Sequence, residues 1–225
     1  MTNVAAKTDT EVVIVGAGPV GLIIALMIAK AGIKCTLLET CSEIIQSPRA
    51  IAYGPAAVHE LERAGVAEEC RKIGMEPSDF EFTLRWITLD NKLVADLPCK
   101  LMEGYPPVIC GQHQVAGVIL KHLQNFKNAK VLWNHNVVGI EQDNASVTAI
   151  CKTKEHGEVR VTGKYLVGAD GARSTVRKLI ECTFDGFTYD KMVVATNVFY
   201  PFRENGFAAG QFIIHPEHFA MVSYL

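Results

Sequence analysis

The stretch EVVIVGAGPVGLIIALMIAKAGIKCTLLE, residues 11–39, decides how the chain folds. A buried strand is predicted from Val12 to Val15, followed by a helix to about Ala31 and a second strand that starts at Cys35 and ends at Glu39. A turn with three glycines separates the first strand from the helix. Strand, glycine turn, helix and strand in this order are typical of a dinucleotide-binding βαβ unit.

The glycine turn and the end of the second strand have predicted roles in binding a dinucleotide. Gly16 permits the tight turn, Gly18 lets the backbone approach a pyrophosphate, and Gly21 lets the helix pack closely on the strand. The turn also contains Pro19, and the first helical N–H groups favour phosphate. Glu39 is expected to accept a hydrogen bond from a ribose hydroxyl. Its charge would repel a 2′-phosphate, so FAD or NAD is predicted rather than NADP.

An alternative interpretation of this stretch is a membrane-spanning helix, because residues 12–29 contain no charged side chain. Three glycines and a proline would be an unusual start for such a helix. A buried parallel strand followed by a packed helix gives the same apolar run. The N-terminal sequence MTNVAAKTDTE is mixed in charge, unlike that of a signal peptide. We therefore expect no membrane span.

Length and composition indicate a globular protein of one or two domains, since 225 residues can bury a sizeable core. A formal net charge of −2 offers no basic face, so nucleic acid is not an expected partner. The seven cysteines form no CxxC pair, which predicts reduced thiols and a cytoplasmic location. No ligand spacing supports a zinc site.

The middle of the chain alternates helical and strand patterns. One helix is predicted over about 56–72, with an inward stripe at Val58, Leu61, Ala64 and Val66. The stretch FTLRWITLDNKLVADLP indicates a hairpin around Asp90-Asn91. A short strand and a helix from about His113 come next. Strands are then predicted in KVLWNHNVVGIEQ, ASVTAICKT and EVRVTGKYLVGAD, and three more within 192–225: MVVATNVFY, AAGQFIIHP and HFAMVSYL.

A second motif, LVGADGARSTVR at residues 166–177, follows a strand and leads into a short helix. Asp170 is expected at the carboxyl end of that strand, where open α/β sheets bind ligands. Gly171 suits the turn and Ser174 is a predicted N-cap. Arg49, in a loop after the second strand, is either a solvated arginine or a guanidinium that closes over a pyrophosphate.

Taken together, GAGPVG, Glu39, SPRA and the second motif resemble the class A flavoprotein monooxygenases, the aromatic-ring hydroxylases related to p-hydroxybenzoate and phenol hydroxylases. The resemblance implies that the family's DGxxSxxR signature helps to hold FAD and takes part in NAD(P)H use. In this chain the signature is Asp170, Gly171, Ser174 and Arg177. It also implies an FAD contact for Arg49 and, from the stretch CGQHQV, a contact of Gln112 with the ribityl region of the flavin.

The fold implied by the resemblance is α/β: a Rossmann-like FAD-binding domain with inserted antiparallel β-hairpins and the beginning of a β-sheet substrate domain. The predicted segments are the first part of the FAD-binding core at 1–80, an inserted hairpin at 81–100, the continued FAD-binding domain at 101–182 and the start of the substrate sheet at 183–225. A third family motif, a Gly-Asp pair before a proline-containing helix start, is absent. The chain is therefore expected to be an incomplete, N-terminal portion with little hydroxylase activity of its own.

The activity implied by the resemblance is hydroxylation of a phenolic or other electron-rich small molecule, with FAD as cofactor, NAD(P)H as reductant and oxygen as co-substrate. His215 is the candidate base, and a half-exposed histidine at a strand end is the alternative. Phe212 takes the place of the tyrosine that helps to ionise the substrate in p-hydroxybenzoate hydroxylase. His215 and His218 are not expected to bind metal.

Two other functions stay open. One is a truncated, non-catalytic FAD-binding or interaction protein, for which the missing third motif argues. The other is an NAD dehydrogenase, against which the second motif argues. For the chain itself we expect either a homo-oligomer or a complementing chain.

Overall fold

The computed structural model describes residues 9–47, 49–74, 83–98 and 107–224. The helices and strands follow in the order β1 (Val12–Val15), α1 (Pro19–Lys30), β2 (Cys35–Leu38), β3 (Ala52–Tyr53), α2 (Pro55–Ala64), α3 (Ala67–Ile73), β4 (Thr83–Thr88), β5 (Leu93–Pro98), β6 (Val108–Ile109), α4 (Gln112–Leu123), β7 (Ala129–Leu132), β8 (Asn136–Gln142), β9 (Val147–Thr153), β10 (Gly157–Gly163), β11 (Tyr165–Gly168), α5 (Thr175–Leu179), β12 (Gly210–Ile214) and β13 (Ala220–Ser223).

The residues group into two compact units. The first comprises residues 1–47 and 115–193, and the second comprises residues 48–114 and 194–225. The assignment of chain segments to an FAD-binding and a substrate domain stays a prediction. Its proposed boundaries at 80–81 and 100–101, and Cys99, lie outside the described residues.

The first unit contains a parallel sheet of four strands in the order β11-β1-β2-β7. All residues of β1 and β2 are buried, as the continuous apolar run predicts for parallel strands. Helix α1 packs on β2 and β7, with Leu22 and Leu26 fully buried. Burying each such leucine contributes about 1.5–3 kcal/mol to stability. The predicted strand–turn–helix–strand unit is confirmed.

An antiparallel sheet of three strands, β10-β9-β8, interrupts the parallel sheet in sequence. Its apolar face and the parallel sheet share one core of buried residues: Val13, Val15, Leu38, Val137, Ala149, Cys151, Val161 and Val176. The predicted stretches 130–142 and 158–170 each contain two strands rather than one. In the stretch 158–170, the chain leaves the antiparallel sheet after β10, and β11 pairs with β1 in the parallel sheet.

The second unit contains a sheet in the order β13-β12-β4-β5 and a short pairing of β3 with β6. The predicted hairpin is confirmed, with Asn91 at a positive φ of 62° in its turn. The predicted single helix over 56–72 is wrong. It divides into α2 and α3, because Gly65 adopts a left-handed conformation with φ of 74° that ends α2. The predicted inward stripe is confirmed: Val58, Leu61, Ala64 and Val66 are all buried.

The C-terminal part of the described chain has two strands where three were predicted. The strands predicted in AAGQFIIHP and HFAMVSYL are present as β12 and β13, which pair antiparallel. Residues 192–200 form no strand, so that prediction is wrong. A strand needs a neighbour for its backbone groups, and within the described residues no strand pairs with this stretch. Among the helices described, none is long and apolar enough to cross a membrane.

Candidate functional site

Three adjacent parallel strands of the first unit bring the sequence motifs to one edge of the sheet. The glycine turn begins at Gly16, directly after β1, and Glu39 directly follows β2 on one side. Asp170 follows β11, which pairs with β1 on the other side. Ligands of open α/β sheets bind outside the carboxyl ends of the strands. The three groups therefore lie at the edge where a dinucleotide would bind.

The tight turn predicted at Gly16 and the close packing predicted at Gly21 are both present. Gly16 has φ of +103°, and a Cβ atom there would lie 2.6 Å from the carbonyl oxygen of Ala169. A Cβ atom at Gly21 would lie 1.9 Å from the carbonyl oxygen of Gly16. Sequence analysis gave no role to Ala169. Its small size beside both glycines allows the two strand ends and the helix to meet.

The start of α1 is open and has no acidic residue of its own. Gly18 is the N-cap and is exposed, and among the described residues no atom beyond its two chain neighbours lies within 4 Å of where its Cβ would be. Pro19 begins the helix, and the first turn has no acidic residue and no side-chain cap. N–H groups at a helix start without such a cap favour an anion. This geometry fits the pyrophosphate of a dinucleotide.

Glu39 ties the glycine turn to the chain that follows β2. Its Oε2 accepts a hydrogen bond from the backbone N–H of Ala17 at 2.7 Å, and its Oε1 accepts one from the N–H of Cys41 at 2.9 Å. Each oxygen retains a further acceptor position, so a ribose hydroxyl can still be bound. The predicted ribose contact stays a prediction. Partial burial, together with the negative charge and hydrogen bond of Glu39, raises the pKa of the Cys41 thiol.

The second motif is a capped helix start. Asp170 Oδ1 accepts a hydrogen bond from the Ser174 hydroxyl at 2.5 Å, and Oδ2 accepts from the N–H groups of Thr175 at 2.6 Å and Val176 at 3.1 Å. Ser174 Oγ accepts from the N–H of Arg177 at 3.0 Å, which confirms the predicted N-cap. The Asp170 carboxylate thus holds the turn at residues 170–177 in shape.

The remaining two residues of this motif lie around the same turn. Gly171 has φ of 83°, a left-handed conformation that favours glycine. Arg177 donates from Nη1 to the Ala172 carbonyl oxygen at 3.0 Å, and its guanidinium carbon lies 4.6 Å from the centre of the Phe184 ring. Their predicted FAD contacts stay predictions.

The second unit brings together the backbone stretches that carry Arg49 and Gln112. The N–H of Gln112 donates to the carbonyl oxygen of Ala50 at 2.9 Å, so Gln112 lies beside the residue that follows the exposed Arg49. Gln114 Oε1 accepts from the N–H of Gly111 at 2.9 Å. Sequence analysis missed this contact, although a glutamine at the third helical position is a known capping signal. Gln114 therefore caps α4.

The sheet formed by β12, β13 and the hairpin β4–β5 carries an aromatic pair and a constrained histidine. Phe212 of β12 stacks on Trp86 of β4, with ring centres 5.1 Å apart. His215 is half-buried directly after β12, and its Nδ1 accepts from the N–H groups of Glu217 and His218 at 3.1 and 3.0 Å. With Nδ1 as an acceptor, neutral His215 carries its proton on Nε2. The predicted base role, which stays a prediction, therefore requires either release of Nδ1 from these two contacts or a change of tautomer.

The rings of His215 and His218 stack with centres 4.8 Å apart. Among the described residues no group of three or more His, Cys, Asp or Glu side chains could hold a metal ion.

Comparison with known proteins agrees with this geometry. The family described as FAD binding domain matches residues 9–223. A para-nitrophenol 4-monooxygenase from Pseudomonas sp. (strain WBC-3) is 39% identical over 223 residues, which are 97% of this chain and 54% of that protein. A 6-hydroxy-3-succinoylpyridine 3-monooxygenase from Pseudomonas putida (strain DSM 28022 / S16) is 34% identical over 202 residues, covering 88% of this chain and 50% of that protein.

A solved structure shows the same fold. The crystal structure of p-nitrophenol 4-monooxygenase from Pseudomonas putida DLL-E4 superposes with a TM-score of 0.90 at 36% identity, over 96% of this chain and 55% of that one. The chain spans about half the length of these relatives. The predicted α/β FAD-binding fold is confirmed. The chain belongs to the family of FAD-binding domains and corresponds to the N-terminal portion of the class A FAD-dependent aromatic hydroxylases.

Proposed function

We propose that the chain forms the FAD-binding part of a monooxygenase that hydroxylates a phenolic or similar electron-rich ring, with NAD(P)H as reductant and oxygen as co-substrate. The proposal rests on one observation: the glycine turn, Glu39 and Asp170 follow the carboxyl ends of three adjacent parallel strands. Two relatives, named for para-nitrophenol and for a hydroxylated pyridine, support a hydroxylated aromatic ring as the substrate class.

In this proposal the first unit holds the adenosine diphosphate half of FAD. The open N–H groups at the start of α1 bind the pyrophosphate, and Gly18 leaves space for it. Glu39 accepts a hydrogen bond from the adenosine ribose. FAD, when bound, supplies the redox chemistry and the activation of oxygen, while the protein orients it and excludes water. No acidic side chain in the first turn of α1 opposes the phosphates.

Asp170 has a positioning role in the proposed site. Both of its carboxylate oxygens already accept hydrogen bonds from the 174–176 turn. Its removal would therefore loosen the strand end beside Gly16, where Ala169 packs against the glycine turn. In the second unit, we propose that Arg49 contacts the pyrophosphate and Gln112 the ribityl chain. Gln114 is not proposed as an FAD contact, because its side-chain oxygen caps α4.

The proposed substrate surface is the β13-β12-β4-β5 sheet. It carries the stacked Trp86 and Phe212 rings, and an aromatic substrate would pack on apolar, aromatic side chains of this kind. Phe212 has no hydroxyl group, so proton removal from a phenol has to come from another group. His215 is proposed for this step after release of its two backbone contacts.

A domain replacement tests the proposal. The C-terminus of this chain is fused to the remaining half of the Pseudomonas sp. para-nitrophenol 4-monooxygenase, in exchange for the matched part of that enzyme. The chimera is purified, loaded with FAD and given NADH or NADPH, oxygen and para-nitrophenol. We expect ring-oxygenated product, formed with release of nitrite from C4 of para-nitrophenol, in excess of hydrogen peroxide. A folded chimera that does not bind FAD would refute the proposal. FAD binding without product from para-nitrophenol or unsubstituted phenols would favour a non-catalytic flavin-binding protein.

A further inference from the structure

The turn that follows β7 lies against the chain that follows β2. The N–H of Glu39 donates to the carbonyl oxygen of Leu132 at 2.9 Å, and the N–H of His135 donates to the carbonyl oxygen of Glu39 at 2.8 Å. The N–H of Asn134 donates to the carbonyl oxygen of Cys41 at 3.0 Å, and Asn134 has a left-handed φ of 59°. These contacts fix His135 directly beside Glu39.

One hydrogen bond determines which nitrogen of the His135 ring carries the proton. Nδ1 lies 2.7 Å from the carbonyl oxygen of Trp133. A carbonyl oxygen can only accept, so Nδ1 carries the proton and Nε2 of the neutral ring is an acceptor. The ring is half-buried, and within the described part of the chain no group donates to Nε2. His135 therefore presents a vacant acceptor in a fixed tautomer.

The order of the strands indicates which part of FAD reaches this turn. The parallel sheet has the order β11-β1-β2-β7, so the carboxyl ends of its strands share one edge. The pyrophosphate is assigned to the glycine turn after β1, and the adenosine ribose to Glu39 after β2. Adenine is bonded to this ribose and continues the same direction towards β7, since neighbouring strands are only about 4.8 Å apart. Residues 133–136 contain no acidic side chain that would oppose a base.

We propose that His135 determines the specificity of the site for adenine, because its Nε2 accepts a hydrogen bond from the exocyclic amino group of the FAD adenine. Hypoxanthine has a carbonyl oxygen in place of this amino group, and two acceptors that face each other repel. A shift of the ring proton to Nε2 would turn a second acceptor, Nδ1, towards the carbonyl oxygen of Trp133. The proposal deepens the proposed function and rests on the assignment of the glycine turn and Glu39 to FAD.

Equilibrium dialysis of the purified chain against two dinucleotides tests the proposal. One is FAD, and the other is its deaminated analogue, flavin hypoxanthine dinucleotide. The two share the flavin, the ribityl chain, the pyrophosphate and the ribose, so they differ only in the group that is proposed to contact His135. We expect the chain to bind FAD at least about tenfold more tightly than the analogue, because a polar group without its partner is costly.

Three variants assign this preference to the histidine side chain. His135→Ala should raise the Kd of FAD about tenfold and leave that of the analogue the same or lower, so the preference disappears. His135→Gln should bind both dinucleotides with similar affinity, because its amide can turn either an oxygen or an NH2 group towards the base. His156→Ala is the control, since His156 is exposed in the β9–β10 turn, and both Kd values should stay unchanged.

Three results would overturn the proposal. Equal affinity of the unchanged chain for FAD and the analogue would remove the role of His135 and leave the FAD assignment intact. Weaker binding of both dinucleotides by His135→Ala to the same extent, with lower stability in urea, would show that His135 only shapes the turn. A folded chain that binds neither dinucleotide would overturn the FAD assignment together with the role of His135.

Discussion

Replacement of Glu39 by alanine should weaken both the glycine turn and the binding of FAD. The carboxylate accepts hydrogen bonds from the N–H groups of Ala17 at 2.7 Å and Cys41 at 2.9 Å, and is proposed to accept one from the adenosine ribose. Glu39→Ala removes both acceptor oxygens and with them all three hydrogen bonds. The two backbone contacts can be measured without FAD, so the structural and the binding effects of Glu39 can be separated.

The size of each effect follows from the contacts. A hydrogen bond to a charged group contributes about 1.5–3 kcal/mol. Glu39 is partly exposed, so water can replace part of the two backbone contacts. We expect a loss of about 1–3 kcal/mol in the free energy of unfolding of the FAD-free protein. Loss of the ribose contact should cost about 1–3 kcal/mol more in FAD binding, which is about a 5- to 150-fold rise in Kd.

Urea unfolding and flavin fluorescence titration measure the two quantities. Glu43→Ala is the matched control, because Glu43 lies in the same loop, carries the same charge and is exposed. Glu39→Gln keeps one acceptor oxygen but turns an NH2 group towards one of the two backbone donors, so intermediate values are expected. An FAD Kd within twofold of wild type in Glu39→Ala, alongside the expected loss of stability, would show that Glu39 is purely structural and would refute the ribose contact.

Three further predictions concern the second motif, the start of α4 and the buried thiols. Asp170→Ala should release FAD during gel filtration because the capped turn loosens, whereas Cys110→Ser should retain FAD. Loss of FAD from Cys110→Ser, with retention in Asp170→Ala, would contradict the assignment of Asp170 to the FAD site. Gln112→Ala should raise the FAD Kd without a change in stability, whereas Gln114→Ala should cost about 1 kcal/mol of stability through loss of the cap, as urea unfolding can show. Burial raises the pKa of the Cys151 thiol from 9.0 to about 11. Its contribution to stability is therefore complete well below pH 9 and declines as pH rises towards 11, by about 1.4 kcal/mol at pH 10. Cys151→Ala should reduce the slope of unfolding free energy against pH between pH 8.5 and 10, measured by urea unfolding, and an unchanged slope would contradict the buried-thiol argument.

The local parts of the fold and the site could be predicted from the sequence. Strand β1, helix α1 and strand β2 follow directly from an apolar run and three glycines, because turn sterics and burial act within about 30 residues. The Ser174 cap was predictable for the same reason. The end of α2 at Gly65 was missed because the inward stripe continues to Val66, although a glycine there is a common helix terminator.

The parts that could not be predicted depend on contacts between distant residues. The strand predicted at 192–200 has the right composition, but strand formation needs a neighbouring strand, and sequence pattern alone does not supply one. The stacking of Phe212 on Trp86 depends on the parallel register of β12 with β4. The use of Glu39 and Asp170 as backbone acceptors likewise appears only once the strand ends are placed side by side.

A parallel titration of the purified chain with FAD and with FMN measures how much of the flavin affinity comes from the ends of β11, β1 and β2. FMN contains the isoalloxazine, ribityl chain and one phosphate but lacks the adenosine and the pyrophosphate. The site at the ends of β11, β1 and β2 is assigned to those missing groups. We predict that FAD binds at least about 100-fold more tightly than FMN, which corresponds to about 2.7 kcal/mol from the pyrophosphate and ribose contacts. Equal affinity for the two flavins, or no FAD binding by a folded chain, would contradict the account.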